Sequence, residues 1–542
     1  MSARANFIGF ILVLLLGLAV WLPGLGRLPL FSRDEALYAE AGREMLARGD
    51  WITPRVNGEL FFEKPPLLYW ASAAGYKIFG VSFLAARLPA ALSAILVVLL
   101  TAIIGAKAWN LRAGLLAALA LALSLQMALI GRMGIMDMPL TFLTLLALVA
   151  YWRWWRKGDF AGAAAFGAVI ALAVLMKSIA GLLAPAIALI HLFFFRPVSR
   201  PRLLPILLGV VTFAIIASPW FIIMAQRHGA AYGTVFFLRH HLLRIMQPMQ
   251  GHRGPVWYYV ALILVSFFPW VTLLPAALRH SRQEPTAQPR ETTAFWRSLA
   301  VVWILVVLIP FSIIRTKLPG YVTPLFPALA LLVGAELDQR LRRPGRAPWI
   351  AMLVGAAVMA LLMALLPSAA ARLGERVGAA QRAHLLVAPA VICAAGYLIL
   401  LLGATTVLFG RAAAGLGLVA VGQFAALAAL VMGMLPIASL YLGGAEAQLA
   451  ELARRELPGR RVALYEVNPE GVAFVLRRTV PTFSDNRPEE LLAFMRQGPT
   501  ALIAPTKEQS FLAKLPARRT WQRGDKLLLD LPALAARDLP AQ

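Results

Sequence analysis

Charged side chains are concentrated in residues 31–70, a segment that lies between two long apolar stretches. Only 14% of the 542 residues are charged, so this cluster lies either in water beside a membrane or in a site that does chemistry. Asp34 and Glu35 come just after the first apolar stretch. A carboxylate there can bind a cation, accept a proton or stabilise a developing positive charge. An ordinary helix start would favour the same acidic pair through the helix dipole.

A lysine held between aromatic residues and prolines is the second candidate. The run FFEKPP places Lys64 directly before two prolines, which fix the local backbone and prevent a helix from passing through it. A rigidly held lysine near a membrane surface suits a phosphate group. The alternative is a lysine that reaches up to the lipid headgroups without any chemistry.

Asp137, in the run GRMGIMDMPL, lies where one apolar segment ends and the next begins. An ionisable residue at the end of a membrane span is a functional candidate, although a solvent-facing cap before Pro139 is equally ordinary. Arg132 is its candidate partner. Further along, the run RTKLPGYVTPLFP places Lys317 and Tyr321 beside a Pro-Gly break, where interfacial anchoring is the alternative to phosphate or sugar binding.

Histidines and arginines cluster between residues 239 and 253. With Glu63, the histidine His241 is a candidate ligand pair for a divalent metal such as zinc. The sequence lacks an HExxH or similar spacing, so the expected reaction requires no metal. Arg244 and Arg253 are better suited to a lipid phosphate than to metal binding.

The elements that must position these residues are membrane helices. Mean hydropathy is +0.73, 60% of residues are hydrophobic, and a bilayer span needs roughly 20 apolar residues. We predict an α-helical integral membrane protein with about thirteen spans, the first being a retained anchor. The spans are expected near 7–25, 83–106, 113–131, 138–155, 161–176, 179–195, 203–224, 256–278, 298–314, 320–338, 347–367, 384–409 and 415–435.

The net charge of +26 does not require nucleic acid as a partner. Many of the basic residues fall in alternate loops between the predicted spans, as the positive-inside rule predicts. That bias places the loops 26–82 and 226–255 and the C-terminal tail outside. Short interfacial helices are expected at 34–47 and 231–245. The outer loops are also basic, which suggests an anionic partner there. The single cysteine, Cys393, excludes a disulfide within the chain.

The last hundred residues have a different composition. Residues 1–440 form the predicted membrane-embedded part, and 441–542 form a small α/β domain. We predict strands in GRRVALYEV, GVAFVLRRTVPTF, TALIAPT and KLLLDL, and helices in EELLAFMRQ and KEQSFLAKL. This domain lacks a phosphate loop or a His/Cys cluster. The sequence therefore favours a packing or docking role for it.

Four of these runs carry a family resemblance: RDEALYAE, FFEKPPLLYW, the RxGxMDxP-like turn and TKLPGYVTPLFPAL. Together they resemble the GT-C superfamily, more narrowly its protein mannosyltransferase-related branch, and within that the bacterial lipid A aminoarabinose transferases. The resemblance covers roughly residues 8–440. It implies a GT-C fold and an undecaprenyl phosphate-linked sugar donor presented at the periplasmic face of the bacterial inner membrane. In the loop that resembles the family's EHxxRF pattern, His240 stands where the family has an acid.

The resemblance implies transfer of 4-amino-4-deoxy-L-arabinose to a lipid A phosphate, with resistance to polymyxin and cationic antimicrobial peptides as the consequence. The implied catalytic residues are Asp34 and Asp137. Phosphate and lipid contacts are assigned to Lys64, Arg244, Arg253 and Lys317. The sugar pocket is assigned to Arg33, Glu35, Tyr38 and Tyr321, and the protein is expected to be a monomer.

Two other functions remain open on the sequence. A polyprenyl-phosphate glycosyltransferase with a hydroxyl acceptor would use Asp34 as a general base. A lipid transporter is disfavoured, because its ionisable residues and broken helices would lie at mid-membrane in paired halves.

Overall fold

The computed structural model describes residues 3–197, 202–236, 253–280, 290–342, 345–376 and 384–534. Most of the chain is helical. The long helices are Ala3–Trp21, Phe83–Ala108, Asp137–Lys157, Phe160–Lys177, Leu203–Gly233, Arg290–Ile313, Phe326–Arg342, Ala347–Arg376, Val387–Leu408 and Ala412–Ala428. The shorter helices before the C-terminal domain are Arg33–Arg48, Leu67–Phe79, Leu111–Ala122, Leu125–Ile130, Leu183–Phe194, Tyr258–Ser266, Leu274–His280 and Leu435–Leu442.

The described part contains nine helical stretches that are long and apolar enough to cross a bilayer. A bent pair, Tyr258–Ser266 with Trp270–Arg279, makes an angle of 108° and would add a tenth. The predicted class of helical, multi-pass membrane protein is confirmed. The count of about thirteen spans stays a prediction.

One of these nine stretches, Phe160–Phe194, folds back on itself. Lys177 contacts Asp137 at the start of the helix Asp137–Lys157, whereas His191 contacts Tyr151 fourteen residues further along that same helix. At the turn, a Cβ on Gly181 would lie only 2.4 Å from the backbone of Ala173. The chain therefore reverses after Lys177, where the sequence predicted a break between two segments.

A buried glutamine joins two of the interrupted helices. The side-chain amide of Gln423 donates two hydrogen bonds from Nε2, each 3.1 Å long. One goes to the carbonyl of Leu123, just after the helix Leu111–Ala122. The other goes to the carbonyl of Phe268, at the bend between Tyr258–Ser266 and Trp270–Arg279. Broken helices expose backbone carbonyls that lipid cannot satisfy. Gln423 supplies the missing donors, which allows both helices to bend inside the bundle.

The first of the two predicted outer loops, residues 26–82, contains a short hairpin made of β1 (Arg55–Val56) and β2 (Glu59–Leu60). Its two-residue turn is Asn57-Gly58, and both residues have positive φ angles, 52° and 86°. Asn-Gly is the preferred sequence for such a turn, because these residues adopt the left-handed conformation readily. The dipeptide predicts a hairpin, and the sequence analysis had not used it.

The C-terminal region forms a five-stranded sheet of order β4-β3-β5-β7-β6. Its strands are β3 (Arg461–Tyr465), β4 (Thr482–Phe483), β5 (Thr500–Pro505), β6 (Arg519–Arg523) and β7 (Lys526–Leu531). Strands β3 and β5 pair in parallel, whereas β5 and β7 pair antiparallel. The helices that flank the sheet are Gly444–Glu456, Glu470–Leu476, Pro488–Arg496 and Gln509–Leu512. The predicted small α/β region is confirmed.

The predicted strand GVAFVLRRTVPTF is confirmed only at its end, where Thr482–Phe483 forms β4, and is wrong for its first half. The run GVAFVL is the helix Glu470–Leu476, although its β-branched and aromatic residues suggest a strand. Tertiary packing decides the outcome, because Phe474 lies against Tyr76 and Phe83 of the membrane part, with ring centroids 5.9 Å apart in both pairs. Strand β6 was not predicted.

This region contacts the first outer loop through polar groups as well. Asn57 donates from Nδ2 to the carbonyl of Val480 at 3.0 Å and accepts the Val480 N–H at 2.8 Å. Arg43 donates to the carbonyl of Arg477 at 3.3 Å. Beneath this contact, Arg43 forms a bidentate pair with buried Glu40, and burial raises the pKa of Glu40 to about 7. The two regions thus meet along the helix that starts at Arg33.

We expect Asn57→Ala to loosen this contact, because alanine loses both hydrogen bonds to Val480 and strains at a positive φ. Amide exchange of residues 479–483 should accelerate about tenfold. Asn57→Gly separates the two causes, since glycine keeps the turn and loses only the hydrogen bonds. Unchanged exchange in both variants would mean that the Asn57 side chain does not hold the regions together.

Candidate functional site

The helix Arg33–Arg48, called here the acidic helix, begins at Ser32 and ends at Gly49, which adopts a left-handed φ of 67°. Alanine, leucine, glutamate and arginine are strong helix formers, so the prediction of a helix at this place is confirmed. Its first turn exposes Asp34 and buries Glu35. Neighbouring carboxylates therefore lie in opposite environments.

Glu35 does not face a sugar pocket. It is fully buried and accepts two hydrogen bonds from Arg87, at 2.7 and 2.9 Å. It also accepts the N–H of Gly134 at 2.8 Å. The guanidinium of Arg87 in turn donates to the carbonyls of Leu25, Leu28 and Pro29. Glu35 thus joins three segments of the membrane part, and we remove it from the proposed sugar pocket.

Arg33 is also placed differently from the expectation. Its guanidinium forms an ion pair with Glu470 of the C-terminal region at 3.4 Å, and half of the side chain is exposed. The long Arg33 side chain extends outward from the first turn of the helix. Asp34 is the next residue in the chain, and its side chain points in a different direction around the helix axis. Arg33 is therefore assigned to the contact between the two regions, beside the proposed site.

Two buried phenols mark the centre of the candidate site. Tyr38, one turn after Asp34, lies next to Tyr69 with ring centroids 6.0 Å apart. Burial raises the pKa of Tyr38 well above its ordinary value, and the negative charges of Asp34, Glu63 and Asp137 raise it further. Burial, Glu63 and Asp34 likewise raise the pKa of Tyr69. Asp34 and Glu63 therefore lie close enough to act on both phenols, and Asp137, from a third segment, acts on Tyr38.

Asp137 forms an ion pair with Lys177. The lysine Nζ lies 2.7 Å from Oδ1, and only 15% and 12% of the two side chains are exposed. Gly320 lies against this carboxylate so closely that a Cβ would be 2.5 Å from Oδ1. Tyr321 follows, with its ring 5.5 Å from the Lys177 ammonium. The KLPGY segment therefore closes over the Asp137–Lys177 pair.

Lys177 is a site residue that the sequence analysis missed. The signal was present, because an ionisable residue between two apolar runs is a functional candidate in a membrane protein. Arg132 is not the partner of Asp137, since its guanidinium donates to the carbonyls of Val20, Trp21 and Pro23 at the end of the first helix.

Lys317 is placed as a helix cap. Its ammonium donates to the carbonyls of Phe311, Ser312 and Ile314, at the end of the helix Arg290–Ile313. An ammonium has three N–H donors, so these carbonyls occupy all of them. Burial lowers the pKa of Lys317. We therefore remove Lys317 from the proposed phosphate contacts.

The remaining candidates divide into those that the structure describes and those that it does not. Glu63 and Lys64 are half-buried and precede the helix Leu67–Phe79. Arg253 is exposed, and its backbone bridges to Thr316 beside the KLPGY segment. His240, His241 and Arg244 lie outside the described residues. Among the residues that are described, no group of three or more His, Cys, Asp or Glu side chains is arranged to hold a metal ion.

We expect Lys177→Met to slow the reaction about 100-fold, because Asp137 loses the cation that fixes its position in a mostly buried site. Lys177→Arg should retain much of the rate, since it keeps the charge. Lys157→Met, at an exposed lysine, is the matched control. Rates are measured in proteoliposomes together with melting temperatures. A wild-type rate in Lys177→Met would exclude a positioning role for Lys177.

The chain matches a family profile described as dolichyl-phosphate-mannose-protein mannosyltransferase over residues 63–223. Its fold matches the crystal structure of ArnT from Cupriavidus metallidurans bound to undecaprenyl phosphate, with a TM-score of 0.78 and 24% identity over 100% of both chains. The apo crystal structure of the same ArnT gives a TM-score of 0.75.

The chain therefore has the fold of this ArnT.

Among curated proteins, this chain is 31% identical over 368 residues to the undecaprenyl phosphate-alpha-4-amino-4-deoxy-L-arabinose arabinosyl transferase of Aeromonas salmonicida, covering 65% of each chain. The protein of the same name from Edwardsiella ictaluri is 30% identical over 376 residues, covering 66% of this chain and 65% of its own length. The matched region thus spans somewhat less than two thirds of the relatives' own length.

Proposed function

We propose that this GT-C protein transfers 4-amino-4-deoxy-L-arabinose from undecaprenyl phosphate to a phosphate of lipid A. The observation that carries the proposal is the convergence of Asp34, Glu63 and Asp137 on buried Tyr38, which lies against Tyr69 with ring centroids 6.0 Å apart. A cluster of carboxylates beside a membrane surface suits a sugar that carries a positive charge. The names of the curated relatives, which print this donor and an arabinosyl transfer, support the choice of donor.

In the proposed reaction, an oxygen of the acceptor phosphate attacks the anomeric carbon of the sugar. The bond between that carbon and the carrier phosphate breaks, and its electron pair stays on the departing phosphate oxygen. Lys64, half-buried next to Glu63, is assigned to this developing charge. Arg244 and Arg253 are assigned to the same phosphate or to that of the acceptor.

The acceptor is already ionised near neutral pH, so the attack requires no strong general base. Asp34 is exposed at the start of the acidic helix, where the sugar can reach it. We assign Asp34 to the ammonium of the sugar or to the positive charge that develops at the anomeric carbon. Asp137, held by Lys177, and the phenols of Tyr38 and Tyr321 are assigned to the walls of the sugar pocket.

A second function is kept because of the family profile, whose description names a protein mannosyltransferase. Transfer to a hydroxyl group would require a base, and Asp34 would take that role. The Asp34→Asn variant would then recover its rate as pH rises, because a hydroxyl group that ionises in solution needs no base. Transfer to a phosphate, which is already ionised, would show no such recovery.

The deciding experiment is mass spectrometry of lipid A from cells with and without the chain, together with transfer in proteoliposomes from the purified donor. The proposal expects a pentosamine addition to lipid A in both. A hexose addition, a modified protein, or movement of the donor lipid without a new glycosidic bond would contradict it. Resistance of the cells to polymyxin is the expected consequence of the modification.

We further propose that the reaction is metal-independent. Exhaustive chelation followed by dialysis is then expected to leave the transfer rate within about twofold of the untreated enzyme, because Lys64 and the arginines supply the positive charge. Zinc content is measured on the same sample. A transfer rate that is lost on chelation and restored by added zinc would contradict the proposal. If zinc fails to restore the rate of the Glu63→Gln variant, the metal is assigned to Glu63 and His241.

The proposed location is the bacterial inner membrane, with the site facing the periplasm, and the proposed oligomeric state is a monomer. The basic outer loops support an anionic lipid as the acceptor. Labelling of a cysteine introduced at exposed Glu59 by a membrane-impermeant reagent tests the orientation. The single native cysteine, Cys393, is buried and does not interfere.

A further inference from the structure

An apolar cavity of about 350 Å³ lies between four membrane helices. Its walls come from Phe160–Lys177, Leu183–Phe194 and Leu203–Gly233, and from Tyr151 and Trp154 near the end of Asp137–Lys157. Asp137 begins that last helix. The fourteen residues from Asp137 to Tyr151 correspond to about 21 Å of helix, so the end of the cavity at Tyr151 and Trp154 lies toward the opposite face of the bilayer. Leu182 and Pro185 line its other end.

The shape of the cavity suits a hydrocarbon chain. Two helices meet backbone to backbone at Gly167, where a Cβ would collide with the carbonyl oxygen of Gly209. Beside this contact, Ile206, Val210 and Phe213 line the cavity along one face of their helix. Ile206 to Phe213 spans about 10 Å, a third of a hydrocarbon core roughly 30 Å thick.

Basic residues surround the same end of these helices. Lys157, Arg196 and Arg202 are all exposed. Lys157 follows the lining residue Trp154 by three positions, and Arg202 precedes the lining residue Ile206 by four. Tryptophans near this helix end are typical of the water interface of a bilayer. One of them, Trp152, holds the guanidinium of Arg156 over its ring at 5.1 Å. The mouth of the cavity is therefore positively charged at headgroup depth.

We propose that this cavity binds an anionic phospholipid of the leaflet opposite the candidate site. One acyl chain fills the apolar cavity, and the phosphate lies between Lys157, Arg196 and Arg202. Arginine and lysine bind phosphates through charge-assisted hydrogen bonds, and each basic group near a membrane surface adds to the attraction for anionic lipids. The site is independent of the proposed sugar transfer.

The test is native mass spectrometry of the full-length protein with phosphatidylglycerol, phosphatidylcholine or undecaprenyl phosphate, supported by melting temperatures. Phosphatidylglycerol is expected to bind on the order of tenfold more tightly than phosphatidylcholine. Val210→Trp fills the cavity from the lipid side and should abolish this binding. Arg196→Gln combined with Arg202→Gln should reduce the preference for phosphatidylglycerol over phosphatidylcholine to about twofold.

Matched controls lie beside each variant. Val211→Trp changes the neighbouring residue, which is similarly exposed and does not line the cavity. Arg156→Gln removes a charge that Trp152 holds at the same helix end. Both should bind phosphatidylglycerol like the wild type. Equal binding of the two phospholipids, normal binding by Val210→Trp, or stronger binding of undecaprenyl phosphate at this cavity would overturn the proposal.

Discussion

Replacing Asp34 by asparagine is expected to reduce the rate of sugar transfer by about 100-fold or more, because the variant loses the negative charge that faces the transition state. Asparagine has the same shape, and the Asp34 side chain is exposed, so folding should be unaffected. The turnover number should fall, whereas the KM for the donor should change little, since Lys64 and the arginines hold the carrier phosphate. The measurement is transfer from purified donor in proteoliposomes.

Two controls sharpen this test. Glu59→Gln removes an exposed carboxylate from the same outer loop, in strand β2, and should keep the wild-type rate. Asp34→Glu retains the charge at a shifted position and should recover part of the loss. Full activity of Asp34→Asn would disprove the assigned role. If the rate of Asp34→Asn instead recovers as pH rises, the acceptor is a hydroxyl group. Such an acceptor ionises at high pH without the Asp34 carboxylate as its base.

Replacing Glu35 by alanine is expected to lower the free energy of unfolding by about 3–5 kcal/mol, the cost of leaving a buried partner charge unpaired. Arg87 is 1% exposed and would keep its charge in an apolar surrounding. The variant should therefore express poorly and melt at a markedly lower temperature in detergent. Fluorescence-detected size exclusion after heating measures this directly.

A surface pair provides the comparison. Glu490→Ala breaks the exposed pair with Arg487, whose side chains are 56% and 74% exposed, and should change stability by less than about 1 kcal/mol. The double variant Glu35→Met with Arg87→Met should recover part of the loss, because it buries no unpaired charge. Recovery will be incomplete, since Arg87 also binds three backbone carbonyls. A stable Glu35→Ala protein would mean that water or movement compensates for the lost pair.

The contrast between Asp34 and Glu35 shows how the site depends on the fold. The two carboxylates are adjacent in the chain, yet one is exposed at the proposed site and the other is buried in the bundle. Their positions differ by about 100° around the helix, which is enough to direct one toward the sugar and the other toward Arg87. Composition and motif could not distinguish them.

Predictions from the sequence succeeded where the signal is local. Apolar runs of sufficient length identified the class of helical, multi-pass membrane protein, and the break at Lys177 was recognised because a charge interrupts an apolar run. The strands β3, β5 and β7 were found from short runs of apolar residues. The helix Glu470–Leu476 was missed because its side chains pack against Tyr76 and Phe83, a contact that no local pattern encodes.

By itself, the sequence determined the class of the protein: a helical membrane bundle with an acidic outer segment, a proline-fixed lysine and a small α/β region. The tertiary structure alone decided which charged groups pair. Lys177 meets Asp137 across 40 residues, and Arg87 meets Glu35 across 52. A membrane helix that is apolar on every face does not reveal which side packs inward, so the partner of a buried charge is fixed only when the helices assemble.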